Sequence, residues 1–132
     1  MKYMLDTNIC IYIIKGKPLS VFEHLNFKRG SLAISAITLA ELEHGIAGSA
    51  YPERNRLALM RFSVIAPCLN FTQTAATEYG RIRAQLQRCG KLISVMDMLI
   101  AAHAISEGLT LVTNNMSEFE RIEGLCLENW VS

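Results

Sequence analysis

The sequence predicts an α/β fold with a central parallel β-sheet of four to five strands flanked by helices on both faces. Three observations carry this reading. Short apolar runs of strand length alternate with longer segments of helical period along the whole chain. One helical segment, residues 95–107, is apolar nearly all round, as a helix packed deep in the fold is. And 132 residues, 51% of them apolar and 19% charged, suffice for one real core but not two, so residues 1–132 form one globular domain.

Each element has a local reason. Residues 2–6, KYMLD, are a short apolar strand that stops on an acid. A helix over 8–15 is interrupted by Gly16, and Pro18 suits the first position of a second helix. Lys28-Arg29-Gly30 is a turn into the second strand, 31–35. Helices follow over 37–47 and 52–64, the latter with Pro52 near its start, and then a third strand over 68–71. Residues 72–88 form a long amphipathic helix that stops at Cys89-Gly90, where glycine suits a C-terminal cap. Gly108 ends the apolar helix 95–107. A fourth strand over 109–113, a short helix over 116–121 and a fifth strand over 125–128 complete the chain. Strands alternating with helices imply a parallel sheet covered on both faces, and such sheets place ligands at the carboxyl ends of their strands.

The composition narrows function by exclusion. A net charge of +1 gives no global field for nucleic acid, so a phosphate-binding surface must be a local patch. Cys10, Cys68, Cys89 and Cys126 are scattered without CxxC spacing, and no histidine pair has zinc-ligand spacing. The first residues lack the pattern of an export signal, and no apolar run is long enough to span a bilayer. The expectation is a reduced, soluble, cytoplasmic protein with no membrane partner.

Acids fall at the strand ends. Asp6 closes the first strand, where a lone buried charge is costly unless compensated. Glu41 lies in the helix after the second strand, and Asp97 opens the apolar helix. Thr113-Asn114-Asn115 ends the fourth strand, with Glu118 just beyond. Asp97 could be a simple helix-start residue favoured by the macrodipole, which is worth only ~0.3–1 kcal/mol. Glu41 and Glu43 lie roughly 200° apart on their helix, so one site can take only one of them. Glu41 shares its side with Thr38 and Gly45, which leaves Glu43 to solvent. Carboxylates brought together stay ionised chiefly by binding a cation, and an all-oxygen set suits magnesium or manganese. The chemistry that fits best is phosphodiester hydrolysis by a metal-activated water. His103 reads as a satisfied core histidine, Ser35 and Ser94 have no evident base nearby, and no P-loop, GxGxxG or GxSxG occurs.

The stretches MLDTN, SAITLAELEHG, MDMLIAAHA and LVTNNMSEFERIEGLCLENW together resemble the PIN-domain family, in its VapC branch of bacterial toxin–antitoxin systems, over essentially the whole chain. The resemblance implies a PIN fold, a magnesium-dependent endoribonuclease, a homodimer and a cognate VapB-type antitoxin. Within the branch it is similar to the toxins that cleave initiator tRNA in the anticodon loop. By position it makes Asp6 and Asp97 the metal ligands for Mg2+ (or Mn2+) and Glu41 the third acid, with Thr7 and Asn8 supporting Asp6 and Thr113 closing the fourth strand. Many PIN domains carry Asp where this chain has Asn115, and Glu118 offers a nearby carboxylate. Asn115 to Glu118 also has capping-box spacing, so Glu118 is either a site acid or part of a helix start. Ser94 stands where relatives commonly have Gly, and Ser117 and Cys126 where basic residues are usual.

Arg81, Arg83, Arg88 and Lys91 gather just before Asp97, and Lys15 and Lys17 follow the first helix. Arg81 and Arg88, seven residues apart, face one way, and with Lys91 form either an RNA-binding face or an ordinary solvated one. Two other readings remain at this level: a PIN domain that binds RNA without cutting it, and a phospho-receiver domain. The receiver needs an Asp ending its third strand and a Lys ending its fifth; this chain has Phe71-Thr72 at the one place and no Lys after Lys91.

Overall fold

The structure, a computed structural model, describes residues 1–16, 19–28 and 30–131. In chain order its elements are β1 (Tyr3–Leu5), α1 (Thr7–Lys15), α2 (Leu19–Lys28), β2 (Leu32–Ser35), α3 (Ala36–Ala47), α4 (Pro52–Ile65), β3 (Cys68–Leu69), α5 (Gln73–Arg88), α6 (Val95–Ser106), β4 (Thr110–Val112), α7 (Met116–Phe119) and β5 (Leu127–Glu128). The expected helix start at Pro18, the turn residue Arg29 and the basic Lys17 lie outside the described residues.

The five strands form one parallel sheet in the order β3-β2-β1-β4-β5. This order is not the 2-1-3-4-5 of receiver-type sheets, which removes the receiver reading. Alternation along the strands builds two cores. Tyr3, Leu5, Leu32, Ile34 and Val112 point to one face, where they meet Ile9, Ile13, Val21, Leu25, Leu42, Ile46, Leu59 and Phe62 of α1 to α4. Met4, Ala33 and Leu111 point to the other, against Ile82 and Leu86 of α5, Met98 and Ile100 of α6, and Phe119 of α7. Each large side chain so buried contributes on the order of 1.5–3 kcal/mol.

Polar residues at the strand ends start the helices. Asp6, Ser35, Thr72 and Ser94 cap α1, α3, α5 and α6, each side chain accepting a backbone N–H of the first turn. Gly16 ends α1 at φ 78°, a left-handed conformation that costs glycine nothing. Two elements are shorter than the sequence predicts. The strands expected over 68–71 and 125–128 reduce to two residues each, and both lie at the edges of the sheet, where short strands leave little backbone open to a foreign chain. The helix expected over 116–121 is a single turn. Among the described residues no helix is long and apolar enough to cross a membrane, and the four cysteines are free.

The chain runs from β1 through β2 to β3 on one side of the sheet, then crosses to β4 and β5 on the other. The order reverses beside β1, so the crevice at the carboxyl ends of β1 and β4 is the switch point of the fold.

Candidate active site

Asp6 sits in that crevice. Its side chain is only 5% exposed and performs two local tasks. Oδ1 accepts the Ile9 N–H at 2.9 Å, capping α1, and Oδ2 accepts the Thr113 hydroxyl at 2.5 Å. These bonds favour the carboxylate, and so lower its pKa. Burial outweighs them, and the charges of Asp97 and Glu41 add to it, so the carboxyl is pushed up from 3.8 to about 6.

Glu41 reaches the same crevice from α3. The Thr7 hydroxyl, one residue beyond Asp6, lies 2.6 Å from Glu41 Oε1 and 3.3 Å from the buried Thr38 hydroxyl. Thr7 thus ties the first turn of α1 to α3. Glu43 points elsewhere and pairs with Arg56 of α4 at 2.8 Å, both groups about half exposed. It is on the surface as its helix phase requires, but it has an ionic partner instead of facing open solvent.

Asp97 enters from α6. Ser94 is the cap of that helix and its Oγ accepts the Asp97 N–H at 3.2 Å; Asp97 itself stands in the first turn, where the macrodipole also favours it. Burial raises the Asp97 pKa, the Ser94 hydroxyl lowers it, and the charges of Glu118 and Glu41 raise it again.

The remaining residues come from the end of β4. Thr113 Oγ1 donates to Asp6 and accepts the Asn115 N–H at 2.9 Å, so its single proton is committed to the carboxylate. Asn115 precedes α7 at φ −97°, ψ 59°, and its side chain makes no capping bond. The capping box is therefore not formed, and Glu118 instead acts on Asp97. Asn8 is exposed at the start of α1, and among the described residues its side chain makes no hydrogen bond to the acids.

Sequence reasoning placed Thr38 on the Glu41 side of its helix but missed its hydroxyl's place beside Thr7. Thr38 stands three residues before Glu41 on one helix face, and that spacing was the available clue. It also left Ser35 without a base. Ser35 Oγ lies 2.7 Å from His103 Nδ1, and both side chains are fully buried, closed to any substrate. His103 is satisfied on that side only, since Nε2 has no hydrogen-bond partner among the described residues.

The basic residues divide. Arg81 is engaged with Glu78 at 2.8 Å and with the Glu123 carbonyl at 3.3 Å, and Arg83 donates to the Tyr79 hydroxyl. Arg88 and Lys91 stand exposed at the end of α5 and in the loop leading to α6.

The site is thus four carboxylates, two of them with raised pKa, at the carboxyl end of a parallel sheet. Among the described residues no three His, Cys, Asp or Glu side chains close on one ion position by themselves. Carboxylate oxygens of this kind suit a hard divalent cation better than a soft one.

Residues 3–125 match the PIN domain family. The chain is 48% identical to the ribonuclease VapC2 of Haemophilus influenzae over 131 residues, 99% of each chain. It is also 48% identical to the tRNA(fMet)-specific endonuclease VapC of Shigella flexneri over 130 residues, 98% of each. The fold matches a chain in the crystal structure of DNA-bound VapBC from Salmonella typhimurium with a TM-score of 0.94, at 45% identity and 98% coverage of both. Full-length identity at this level, with a family match across residues 3–125, leads to one assignment: the chain belongs to the PIN-domain family and, within it, to the VapC ribonucleases.

Proposed function

We propose that this protein is the toxin of a VapBC-type toxin–antitoxin pair, a magnesium-dependent endoribonuclease that cuts initiator tRNA in its anticodon loop. The observation that carries the reading is the convergence of acids at one strand crevice, where Asp97 and Glu41 act on Asp6 and Glu118 and Glu41 act on Asp97. The tRNA(fMet)-specific endonuclease names of full-length relatives in Shigella flexneri and Salmonella typhimurium support the substrate.

Asp6 and Asp97 are the residues to hold magnesium, with manganese as a substitute. When bound, the ion polarises a water and offsets charge on the phosphate. The rest belongs to the chain. Thr113 and the Ile9 N–H fix the Asp6 carboxylate from opposite oxygens. Thr7 holds Glu41 forward, where it can take a proton from the attacking water. Arg88 and Lys91 offer phosphate contacts beside α6, with Arg81 contributing less because it is already paired. The protein acts in the cytoplasm as a homodimer. An apolar groove of about 370 Å³ between α1, α3 and α4 is lined by Ile11, Ile14, Leu42, Ile46 and Leu59 and includes Glu41. It is a fitting seat for an amphipathic segment of a VapB-type antitoxin.

The test is to sequence cellular RNA ends after brief induction of the native protein and of Asp6→Asn and Asp97→Asn. The native protein is expected to give one dominant cut in the initiator tRNA anticodon loop, bearing a 5′-phosphate and a 3′-hydroxyl. Both variants are expected to fold and to leave the RNA whole. A 2′,3′-cyclic phosphate at the cut, or full activity in either variant, would refute the mechanism.

A further inference from the structure

His103 lies in the last turn of α6 and Ser35 at the junction of β2 and α3, 68 residues apart and both fully buried. Ser35 Oγ already accepts the Ile37 N–H at 3.1 Å as the cap of α3. The hydroxyl keeps its own proton and a second lone pair, so it bonds to His103 Nδ1, 2.7 Å away, as donor or acceptor according to the ring tautomer. The ring is held neutral by its surroundings. Burial lowers its pKa, outweighing Glu107 and the Asn70 backbone, which favour the charged form. The ring packs edge-on against Phe71, with centroids 5.4 Å apart.

Nε2 has no partner at full hydrogen-bond geometry among the described residues: Glu107 Oε1 stands 4.0 Å away, and the Asn70 backbone acts on the ring without completing a bond to that atom. A buried polar nitrogen so poorly paired is unfavourable, and a leucine of similar bulk would avoid the cost. Core packing therefore does not explain a histidine here. The bond to Ser35 does, because it joins the two helices that deliver Asp97 and Glu41.

We infer that His103 is a positioning residue whose bond to Ser35 locks α6 against the start of α3 and so sets the spacing of Asp97 from Glu41. The inference rests on the metal-dependent nuclease reading. It makes this buried pair a determinant of cation affinity, although neither residue touches the ion.

The full-length protein and four variants test it: His103→Leu, His103→Asn, Ser35→Ala and the Ser35→Ala/His103→Leu double. Three quantities are measured for each: Mn2+ affinity by calorimetry, cleavage rate and thermal stability. His103→Leu is expected to keep or raise the melting temperature while weakening Mn2+ binding about tenfold, the scale at which outer supporting groups act. His103→Asn leaves an acceptor near the Nδ1 position but underfills the core, so it is expected to melt earlier yet bind Mn2+ close to the native protein. In the Ser35→Ala background the leucine is expected to cost no further affinity. Native affinity in His103→Leu, affinity that follows melting temperature across the set, or additive losses in the double variant would each overturn the inference. Native protein that neither binds Mn2+ nor cuts RNA would instead overturn the nuclease reading, and this inference with it.

Discussion

Asp6 and Thr113 stand 107 residues apart and share a hydrogen bond of 2.5 Å, the threonine donating to Oδ2. An ionised carboxylate can only accept, so the threonine donates while its oxygen takes the Asn115 N–H, and the bond favours an ionised Asp6. It is not enough. Burial still leaves the carboxyl near 6, so in the absence of a cation Asp6 opposes the folded state at neutral pH.

Stability should therefore run against the usual acid trend. The folded pKa lies above the unfolded value, so the native state binds more protons between about pH 3.8 and 6. The contribution of Asp6 is fully present below that window and is lost as pH rises through it, by about 3 kcal/mol. Asp97, also raised, acts in the same direction. Metal-free protein is expected to melt higher at pH 5 than at pH 7.5, and Mg2+ to raise the melting temperature at pH 7.5 but hardly at pH 5. Melting curves at the two pH values, with and without chelator, check both.

The two glutamates of α3 should separate cleanly. Glu41→Gln removes the charge that Thr7 steers into the crevice, and cleavage is expected to fall by about 10²–10⁴-fold. Glu43→Gln breaks only an exposed pair with Arg56, worth ~0–1 kcal/mol, and the rate should not move. Single-turnover cleavage of a tRNA substrate by both variants decides it, and equal losses would mean that the helix phase does not govern the chemistry.

Glu118→Gln is expected to weaken Mg2+ activation while the melting temperature stays within about a degree, because no capping box is lost. Adding Asn115→Asp should restore the titration by returning a carboxylate to the end of β4. A magnesium titration of the cleavage rate for the single and double variants reads both outcomes. An unchanged titration in Glu118→Gln would reduce the site to three acids.

For RNA affinity, Arg88→Ala and Lys91→Ala are each expected to flatten the salt dependence of binding, each by about one ion in the log–log slope. Arg81→Ala should do so less, because its guanidinium is engaged with Glu78 and the Glu123 carbonyl. Filter binding across a salt series, with an inactive Asp97→Asn background to prevent cleavage, measures the three slopes. Identical slopes in all three would show that the exposed end of α5 is a solvated face only.

How far the chain could be read before its structure depended on the range of each interaction. Asp6 was legible because an acid ending an apolar run is locally anomalous. Glu41 was separable from Glu43 because helix phase is a property of neighbours. The strands at the sheet edges were overestimated, since hydrophobic pattern does not report how many partners a strand has. Asn115 to Glu118 carried a capping pattern that the chain does not use. The backbone there turns out of β4 with Asn115 N–H on Thr113, and its side chain is left out of the cap. Ser35 with His103 was invisible, because nothing in either neighbourhood announces a contact across 68 residues.

The place of β1 in the sheet has a consequence for how the molecule is made. Tyr3 pairs with Leu32 on one side and with Thr110 on the other, so β1 is enclosed only when β4, more than 100 residues later, arrives. Asp6 can cap α1 early, but Asp97 and Thr113 leave the ribosome much later. A growing chain therefore carries its first acid long before it carries a catalytic centre. For a nuclease made amid the translation machinery, this order of emergence is a built-in delay: β1 and α1 stand complete long before the acids can meet.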